Sequence, residues 1–233
     1  MLEDLKKRVC TLNKRLPSSG LVILTWGNVS ARDPKTGLVV IKPSGVAFDS
    51  LQPADMVVVD LDGKVIEGNL MPSTDTPTHL EIYKAYPQIN GIVHTHSTYA
   101  VAWAQAQKPI PCLGTTHADS FKGEIRITDF LPPKAYSDYE KKTGEAIVSA
   151  FKEFDPLDCP AVLVRSHGPF TFGRTPEAAL ENSLILEKVA QMAFISETLC
   201  QDNVPAVSKD LLKKHYERKH GESAYYGQRK LPK

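Results

Sequence analysis

Hydrophobic residues near the start of the chain recur at helical spacing. They step by three and four positions and so share one face of a helix, which Pro17 and Gly20 end. The residues on this face are Leu2, Leu5, Val9, Leu12 and Leu16. Helical patterns also cover residues 78–86, 97–107, 139–154 and about 208–220. The longest predicted helix starts after Thr175, an N-cap residue, has Pro176 at its first position, and runs to about Cys200.

Short runs rich in β-branched residues predict strands between these helices. They cover residues 21–26, 37–42, 55–60, 91–96 and 161–168, and Gly, Pro and Asp turns separate the early ones. Because three of these runs follow one another before the second helix, we expect a mixed, largely antiparallel sheet. Strands and helices mixed in this way predict an α/β fold, a three-layer α/β/α sandwich. Residues 1–233 contain no linker long enough to divide the chain, so we expect a single domain.

Composition narrows the class of partner. The 233 residues are 42% hydrophobic and 24% charged, which is enough to bury a core, and the formal net charge is +1. This balance favours neither nucleic acid nor an anionic membrane surface, and leaves small molecules as the expected partners. The four cysteines, at positions 10, 112, 159 and 200, have neither disulfide-framework nor zinc-finger spacing. With no signal-peptide pattern and no apolar run of about 18 residues, we expect a cytoplasmic protein.

Two histidines in the run GIVHTHS indicate a metal site. Residues i and i+2 of a strand point to the same face, so His94 and His96 are expected to project together. Neutral imidazole suits zinc, and a catalytic zinc has three protein ligands and one open position. His167, which ends AVLVRSHG, is the best third ligand, although the spacing leaves His79, His117, His215 and His220 available. The alternative is a pair of core histidines satisfied by hydrogen bonds.

Asp75, in PSTDTPTH, is the carboxylate most expected near such an ion. The same residues are typical of a helix N-terminus, where a short polar side chain caps free N–H groups. The two interpretations are compatible, and free N–H groups at a helix start also bind phosphate.

Eight segments, in this order, resemble the class II aldolase family, and in particular its L-ribulose-5-phosphate 4-epimerase branch. The segments are WGNVS (26–30), IKPSGV (41–46), PSTDTPTH (72–79), GIVHTHS (91–97), GTTHAD (114–119), HGPF (167–170), KHYERKHG (214–221) and AYYGQ (224–228). The resemblance covers essentially the whole chain. It implies a cytoplasmic, zinc-dependent homotetramer with one zinc ion per subunit and active sites between neighbouring subunits.

The resemblance also implies a role for each matching residue. It assigns the metal to His94, His96 and His167, with Asp75 as the carboxylate beside it. It assigns the substrate phosphate to Gly27, Asn28, Ser44, Gly45, Ser73 and Thr74, and Lys42 is placed to add charge there. Asp119 and Tyr226 match an acid–base pair that reaches the metal from the adjacent subunit. Thr116, Glu140 and His215 match supporting groups.

The implied activity is interconversion of L-ribulose 5-phosphate and D-xylulose 5-phosphate. Carbon 4 is not next to the carbonyl, so its inversion is expected to proceed by metal-assisted cleavage and re-formation of the C3–C4 bond. Two proton-transfer groups are then needed, and we expect Asp119 to remove the first proton from the L-ribulose epimer. Such epimerases serve L-arabinose and L-ascorbate catabolism, and the sequence does not distinguish the two pathways.

Alternatives remain open at this point. A class II aldolase of the fuculose or rhamnulose 1-phosphate type would have glutamate at the position of Asp75 and would differ at Asp119 and Tyr226. A non-catalytic, adducin-like module would not need the three histidines, and a zinc-dependent dehydratase of a phosphorylated thiosugar is a further possibility. Two features depart from the epimerase pattern: Thr74 replaces a second serine, and residues 120–140 differ.

Overall fold

A computed structural model describes residues 1–201, 204–222 and 224–227, and within them eight strands form one sheet. The strands are β1 (Asn28–Arg32), β2 (Val39–Ile41), β3 (Val57–Val59), β4 (Val65–Glu67), β5 (Gly91–His94), β6 (Arg126–Ile127), β7 (Ala161–Val164) and β8 (Gly168–Gly173). Their order is β4-β3-β2-β1-β5-β8-β7-β6, and only β6 and β7 pair in parallel. The predicted mixed, largely antiparallel sheet is confirmed.

Seven α-helices accompany the sheet in the same described residues. They are α1 (Glu3–Ser18), α2 (Thr76–Ala85), α3 (Thr98–Gln105), α4 (Thr115–Ala118), α5 (Tyr139–Ala150), α6 (Pro176–Cys200) and α7 (Lys209–His220). As predicted, the hydroxyl of Thr175 caps α6 by accepting from the N–H of Ala178. Across the described ranges, no helix combines the length and the apolar character that crossing a bilayer requires.

The helices cover both faces of the sheet. On one face, Ile82 and Tyr83 of α2 and Ile147 of α5 pack in a buried cluster with β2, β3, β5, β7 and β8. On the other face, α1 and the start of α6 pack against β1 through β3, while α3 and the middle of α6 pack against β7. This arrangement confirms the predicted three-layer α/β/α sandwich.

Residues 21–26 do not form the predicted strand. Leu21 and Val22 are buried in the core, but Leu24 has a left-handed φ of 53°, and the N–H of Trp26 bonds the carbonyl of Ile23, which closes a turn. The turn sends the side chains of Ile23 and Leu24 into solvent. Composition predicted a strand here because apolar residues in an exposed turn have the same pattern as apolar residues in a sheet.

The predicted strand over residues 161–168 is in fact the start of a hairpin. Strand β7 ends at Val164, a tight turn includes Ser166 with a φ of 61°, and β8 returns antiparallel from Gly168. His167 therefore lies in the turn and not at a strand end. Strand β1 and the part of β8 beyond Gly168 were not predicted. Strands β4 and β6 and helix α4, which are only two to four residues long, were not predicted either.

The sheet register brings the functional segments together at one end of the central strands. Asn28 at the start of β1 pairs with His94 at the end of β5, and His94 also pairs with Phe170 of β8. Beside them, the loop after β2 pairs with the segment before α2, since the N–H of Ser44 bonds Met71 and that of Ser73 bonds Lys42. Five separate sequence segments thus meet at the same end of the sandwich.

Candidate functional site

Three histidine rings converge at this end of the central strands. His94 and His96 lie with their Nε2 atoms 3.1 Å apart, although β5 ends at His94 and His96 follows it. His167 approaches from the β7–β8 turn, with its ring centroid 4.8 Å from that of His94 and 5.3 Å from that of His96. One nitrogen from each ring lies within 4.8 Å of the other two.

The donor set fits a divalent ion of the zinc type. The Nδ1 atom of His94 is 3.0 Å from the carbonyl oxygen of Pro169, so Nδ1 carries the proton and Nε2 offers a lone pair. Two ligand atoms bound to one tetrahedral zinc lie roughly 3.3 Å apart, close to the separation of the two Nε2 atoms. Burial lowers the pKa of His167 to about 3 and also lowers that of His96, which keeps both rings in the neutral form that binds metal.

The histidines differ in what supports them. The ring of His94 is buried and stacks on Phe170 with centroids 4.2 Å apart. His96 faces Trp26, whose ring centroid is 5.8 Å away and whose side chain remains 47% exposed. The cluster therefore has a closed side at the sheet and an open side toward solvent, as an ion that also binds substrate requires.

Asp75 lies at the N-cap position of α2, but its side chain makes no cap hydrogen bond. Instead, its Oδ2 atom accepts a hydrogen bond from the Nδ2 amide of Asn28 at 2.7 Å. Burial raises the pKa of the Asp75 carboxyl, while the neighbouring imidazoles and the Asn28 amide lower it, and the net result lies below the usual value. The side chain is therefore an anion in the same cleft as the three histidines.

A buried ammonium group, that of Lys42, lines the same cleft as Asn28. Lys42 is 2% exposed, its Nζ donates to the carbonyl of Pro43 and lies 4.8 Å from the ring centroid of Phe48, and it makes no ion pair in the part of the chain that the structure describes. Burial lowers its pKa from 10.5 to about 8. A cation held in this way favours an anionic ligand, because such a ligand would restore the solvation that burial removes.

Gly27 allows the backbone to pass close to the histidines. Its φ is 83°, and a Cβ atom at this position would lie 2.7 Å from the carbonyl oxygen of His94. Only glycine fits both the conformation and the space.

All these groups line one open cleft of about 410 Å³. It contains eleven of the residues predicted from the sequence: Gly27, Asn28, Lys42, Ser44, Gly45, Ser73, Thr74, Asp75, His94, His96 and His167. Glu140, a predicted supporting group, also lines it, as do Trp26 and Tyr139, to which the sequence analysis gave no role. The proximity of Tyr139 to Glu140 was the one signal that could have drawn attention to it.

Asp119, at the end of α4, is not among the residues that line this cleft. Its carboxylate accepts hydrogen bonds from both Nε and Nη2 of Arg218, and His215 Nδ1 lies 2.9 Å from Oδ1. Burial raises the pKa of the Asp119 carboxyl, but the hydrogen bonds from Arg218 and His215 lower it by more. The net pKa is therefore below the usual value. Helix α7, which carries both partners, thus holds Asp119 ionised.

Tyr226 packs on Arg218, the partner of Asp119, and is also not among the residues that line the cleft. Its backbone N–H bonds the carbonyl of Arg218, and its ring centroid is 5.3 Å from the guanidinium carbon of that residue. The side chain is 62% exposed, so the phenol is free to contact another molecule. Gln228, the last residue of the AYYGQ motif, and the tail beyond it lie outside the described residues.

The other histidines have different partners. The Nδ1 atom of His79 is 2.7 Å from the hydroxyl of Ser30, the Nε2 atom of His117 is 2.8 Å from the carbonyl of Gly123, and His215 and His220 both contact Asp119. The structure therefore groups His167, and none of these four, with His94 and His96.

Comparison with known proteins identifies close relatives in sequence. The family described as "Class II Aldolase and Adducin N-terminal domain" matches residues 7–194. Two relatives named L-ribulose-5-phosphate 4-epimerase UlaF, from Salmonella paratyphi A and Salmonella typhi, are each 49% identical over 229 residues. These alignments cover 98% of this chain and 100% of each relative.

Solved structures share the fold. An L-fuculose 1-phosphate aldolase superimposes with a TM-score of 0.79 at 24% identity, covering 92% of this chain and 95% of the aldolase. A second L-fuculose 1-phosphate aldolase, from Glaciozyma antarctica PI12, gives a TM-score of 0.76 at 21% identity over 95% of this chain and 84% of that one. At these identities the likeness concerns the fold alone.

Proposed function

Because this chain belongs to the class II aldolase and adducin N-terminal domain family, we propose that it is a metal-dependent L-ribulose-5-phosphate 4-epimerase. It interconverts L-ribulose 5-phosphate and D-xylulose 5-phosphate. The observation that carries the proposal is one cleft lined both by a triad of histidines and by a buried ammonium group that has no carboxylate partner among the described residues. A phosphorylated ketose has oxygens for a cation at one end and a dianion for Lys42 at the other.

The metal is held by His94, His96 and His167, with Asp75 beside them. Three imidazoles and a carboxylate favour zinc, with one ion per subunit. When bound, such an ion supplies a Lewis acid that stabilises negative charge on the ketose oxygens. The carbonyl of Pro169 and the amide of Asn28 keep two of these side chains oriented.

The phosphate pocket must hold the leaving fragment. Breaking the C3–C4 bond releases a two-carbon aldehyde that carries the phosphate, and the enzyme inverts carbon 4 only if this fragment rotates without escaping. Lys42, the hydroxyls of Ser44, Ser73 and Thr74, and the backbone at Gly27 and Gly45 line the pocket that retains it. The methyl group of Thr74, where the family pattern has serine, leaves the hydroxyl donor in place.

Asp119 and Tyr226 transfer the protons. Cleavage removes the proton of the C4 hydroxyl as the electron pair of the C3–C4 bond moves to the carbonyl fragment, and recombination at the opposite face returns a proton to the new C4 oxygen. The two faces of the aldehyde need two groups. We assign the first proton of L-ribulose 5-phosphate to Asp119, since Arg218 keeps that carboxylate ionised, and assign the opposite face to Tyr226.

The acid–base pair reaches the cleft of an adjacent subunit in a homotetramer. Support comes from the position of the pair on α4 and after α7, where Tyr226 is exposed and neither residue lines the cleft of its own chain. Apolar side chains of the second half of α6 are also exposed: Met192, Phe194, Ile195 and Leu199. Such a surface on one helix suits burial against another copy.

The reaction belongs to carbohydrate catabolism in the cytoplasm. L-Ribulose 5-phosphate arises in the degradation of L-arabinose and of L-ascorbate, and D-xylulose 5-phosphate enters the pentose phosphates. The partners are the sugar phosphate and other copies of this chain, with no role for nucleic acid or membrane.

The competing function is a class II aldolase that releases its aldehyde. Asp75, which the aldolases of this family replace by glutamate, and the full-length identity to named epimerases favour epimerisation. NMR of a reaction with L-ribulose 5-phosphate tests the choice, with accumulation of D-xylulose 5-phosphate as the expected result. Steady release of glycolaldehyde phosphate at a comparable rate would establish the aldolase instead. An adducin-like module would give neither product and would bind no metal.

A further inference from the structure

Tyr139, the first residue of α5, contacts the histidine triad. Its hydroxyl oxygen lies 3.4 Å from Nδ1 of His167, and the two ring centroids are 6.0 Å apart. The side chain lines the cleft together with Glu140. Nothing in the proposed phosphate binding or proton transfer uses this phenol.

Close packing of two helices fixes Tyr139 at this place. The hydroxyl of Thr78, in α2, donates to the carbonyl of Glu140 at 2.6 Å. A Cβ atom at Gly144 would lie only 2.7 Å from Cβ of Glu81, so the absence of a side chain lets α5 approach α2. The start of α5 is therefore held by the helix that also begins next to Asp75, and the phenol is positioned by rigid elements.

His167, unlike His94, has no strand and no backbone carbonyl among the described residues to orient its ring. It follows Ser166, whose φ is 61°, in a turn where no strand pairing orients its ring. An imidazole offers a metal either nitrogen, and the hydrogen bond made by one nitrogen decides which one is free. For His94 the carbonyl of Pro169 makes that bond at 3.0 Å. For His167 the corresponding oxygen is the phenol of Tyr139.

We propose that the Tyr139 hydroxyl accepts the Nδ1–H of His167 and so holds Nε2 toward the centre shared with His94 and His96. Tyr139 is thus a positioning residue for the metal ligand. This inference rests on the proposed metal site and adds to it the group that selects the tautomer and ring angle of the third ligand.

Zinc binding by the full-length protein tests this role, with Tyr139→Phe as the variant. Tyr136 provides a matched control, because it is a nearby tyrosine with its ring 6.3 Å from that of Tyr139 and its side chain 53% exposed. Competition with a chromogenic chelator is expected to show zinc affinity roughly 10- to 100-fold weaker in Tyr139→Phe, the usual loss when a ligand's outer partner is removed. Tyr136→Phe is expected to bind zinc as the unmodified protein does.

Metal-free melting temperatures separate positioning from general damage. Tyr139→Phe and Tyr136→Phe are expected to melt alike without zinc, because only the phenol oxygen at the cleft has been removed. Unchanged zinc affinity in Tyr139→Phe, or a loss matched by a lower metal-free melting temperature, would overturn the proposed role. If the unmodified protein failed to bind zinc, the proposed function itself would be wrong, which is a different result.

Discussion

The amide nitrogen of Asn28 donates to Asp75 Oδ2 at 2.7 Å and also lies 3.1 Å from the hydroxyl oxygen of Ser73. Asn28 thereby joins the metal half of the cleft to the phosphate half. Its own Oδ1 is buried and has no partner among the described residues. One side chain therefore both orients a carboxylate and contacts the phosphate segment.

Asn28→Ala tests this link. The Asp75 carboxylate loses its shortest donor and with it a fixed orientation, so zinc affinity is expected to fall roughly 10- to 100-fold. Chelator competition measures the change. Ser73→Ala, which removes longer contacts of 3.1–3.5 Å and leaves the Asn28–Asp75 hydrogen bond in place, serves as control with a smaller effect. Equal zinc affinity in Asn28→Ala and the unmodified protein would show that Asp75 does not depend on Asn28.

Lys42 is expected to make phosphate binding dependent on pH. Burial lowers its pKa to about 8, so the free protein loses this charge as the pH rises through about 8. Titration with inorganic phosphate in the metal-free protein should show weaker binding above that pH. In Lys42→Met the free energy of phosphate binding is expected to be less favourable by about 1.5–3 kcal/mol. The weakening of phosphate binding above about pH 8 should also disappear.

The same pKa shift predicts a change in stability. Between pH 8 and 10.5 the unfolded chain holds the Lys42 proton while the folded chain does not, so this group makes the protein more stable as the pH rises through that window. Lys42→Met should remove that contribution to the pH dependence of the unfolding free energy. For the phosphate titration, an affinity that does not change with pH in the unmodified protein would contradict the assignment of Lys42 to phosphate binding.

Arg218→Gln is expected to shift the pH dependence of turnover. Arg218 donates twice to Asp119 and lowers the pKa of that carboxyl, so its removal raises the pKa. Because Asp119 acts as a base when ionised, the acidic limb of kcat/KM should move to higher pH. Lys219→Gln is the control, since Lys219 makes the weaker contribution to the same carboxyl. An unmoved acidic limb in Arg218→Gln would exclude Asp119 as the base.

Mixing two inactive variants tests whether the active site lies between subunits. His96→Ala should lose metal and activity, whereas Tyr226→Phe should keep metal and lose roughly 10²–10⁴ in kcat. In co-expressed hybrids, about one site in four combines an intact cleft with an intact Tyr226 from its neighbour, and activity should return to that extent. A mixture of His94→Ala and His96→Ala has no intact cleft and should remain inactive. Hybrids without recovered activity would contradict the shared site.

Local patterns predicted the parts of the fold that local physics determines. The alternation in GIVHTHS predicted that His94 and His96 project together, and their Nε2 atoms lie 3.1 Å apart although β5 ends at His94. Thr175 followed by Pro176 predicted the start of α6. The predicted strand over residues 21–26 was wrong because the left-handed φ of Leu24 turns apolar side chains into solvent. The conformational preferences of leucine do not predict a left-handed φ. The predicted strand over residues 161–168 was wrong for the same reason, because the left-handed φ of Ser166 belongs to a turn.

The site required information beyond spacing. Sequence distance left four other histidines as possible third ligands, and only the β5–β8 register shows why His167 meets His94. Asp119 and Tyr226 came from family resemblance alone, since neither has a partner in the cleft of its own chain. Tyr139 went unnoticed because its contact with His167 depends on how α5 packs on α2, a relation between distant segments.

The most direct test of carbon–carbon cleavage is the fate of the hydrogen on carbon 4. The zinc-loaded protein converts L-ribulose 5-phosphate in D₂O, and NMR of the product reports whether carbon 4 has exchanged its hydrogen. Cleavage of the C3–C4 bond retains that hydrogen on the aldehyde, so D-xylulose 5-phosphate is expected to carry protium at carbon 4. Deuterium at carbon 4 would show direct proton abstraction and would contradict cleavage of the C3–C4 bond.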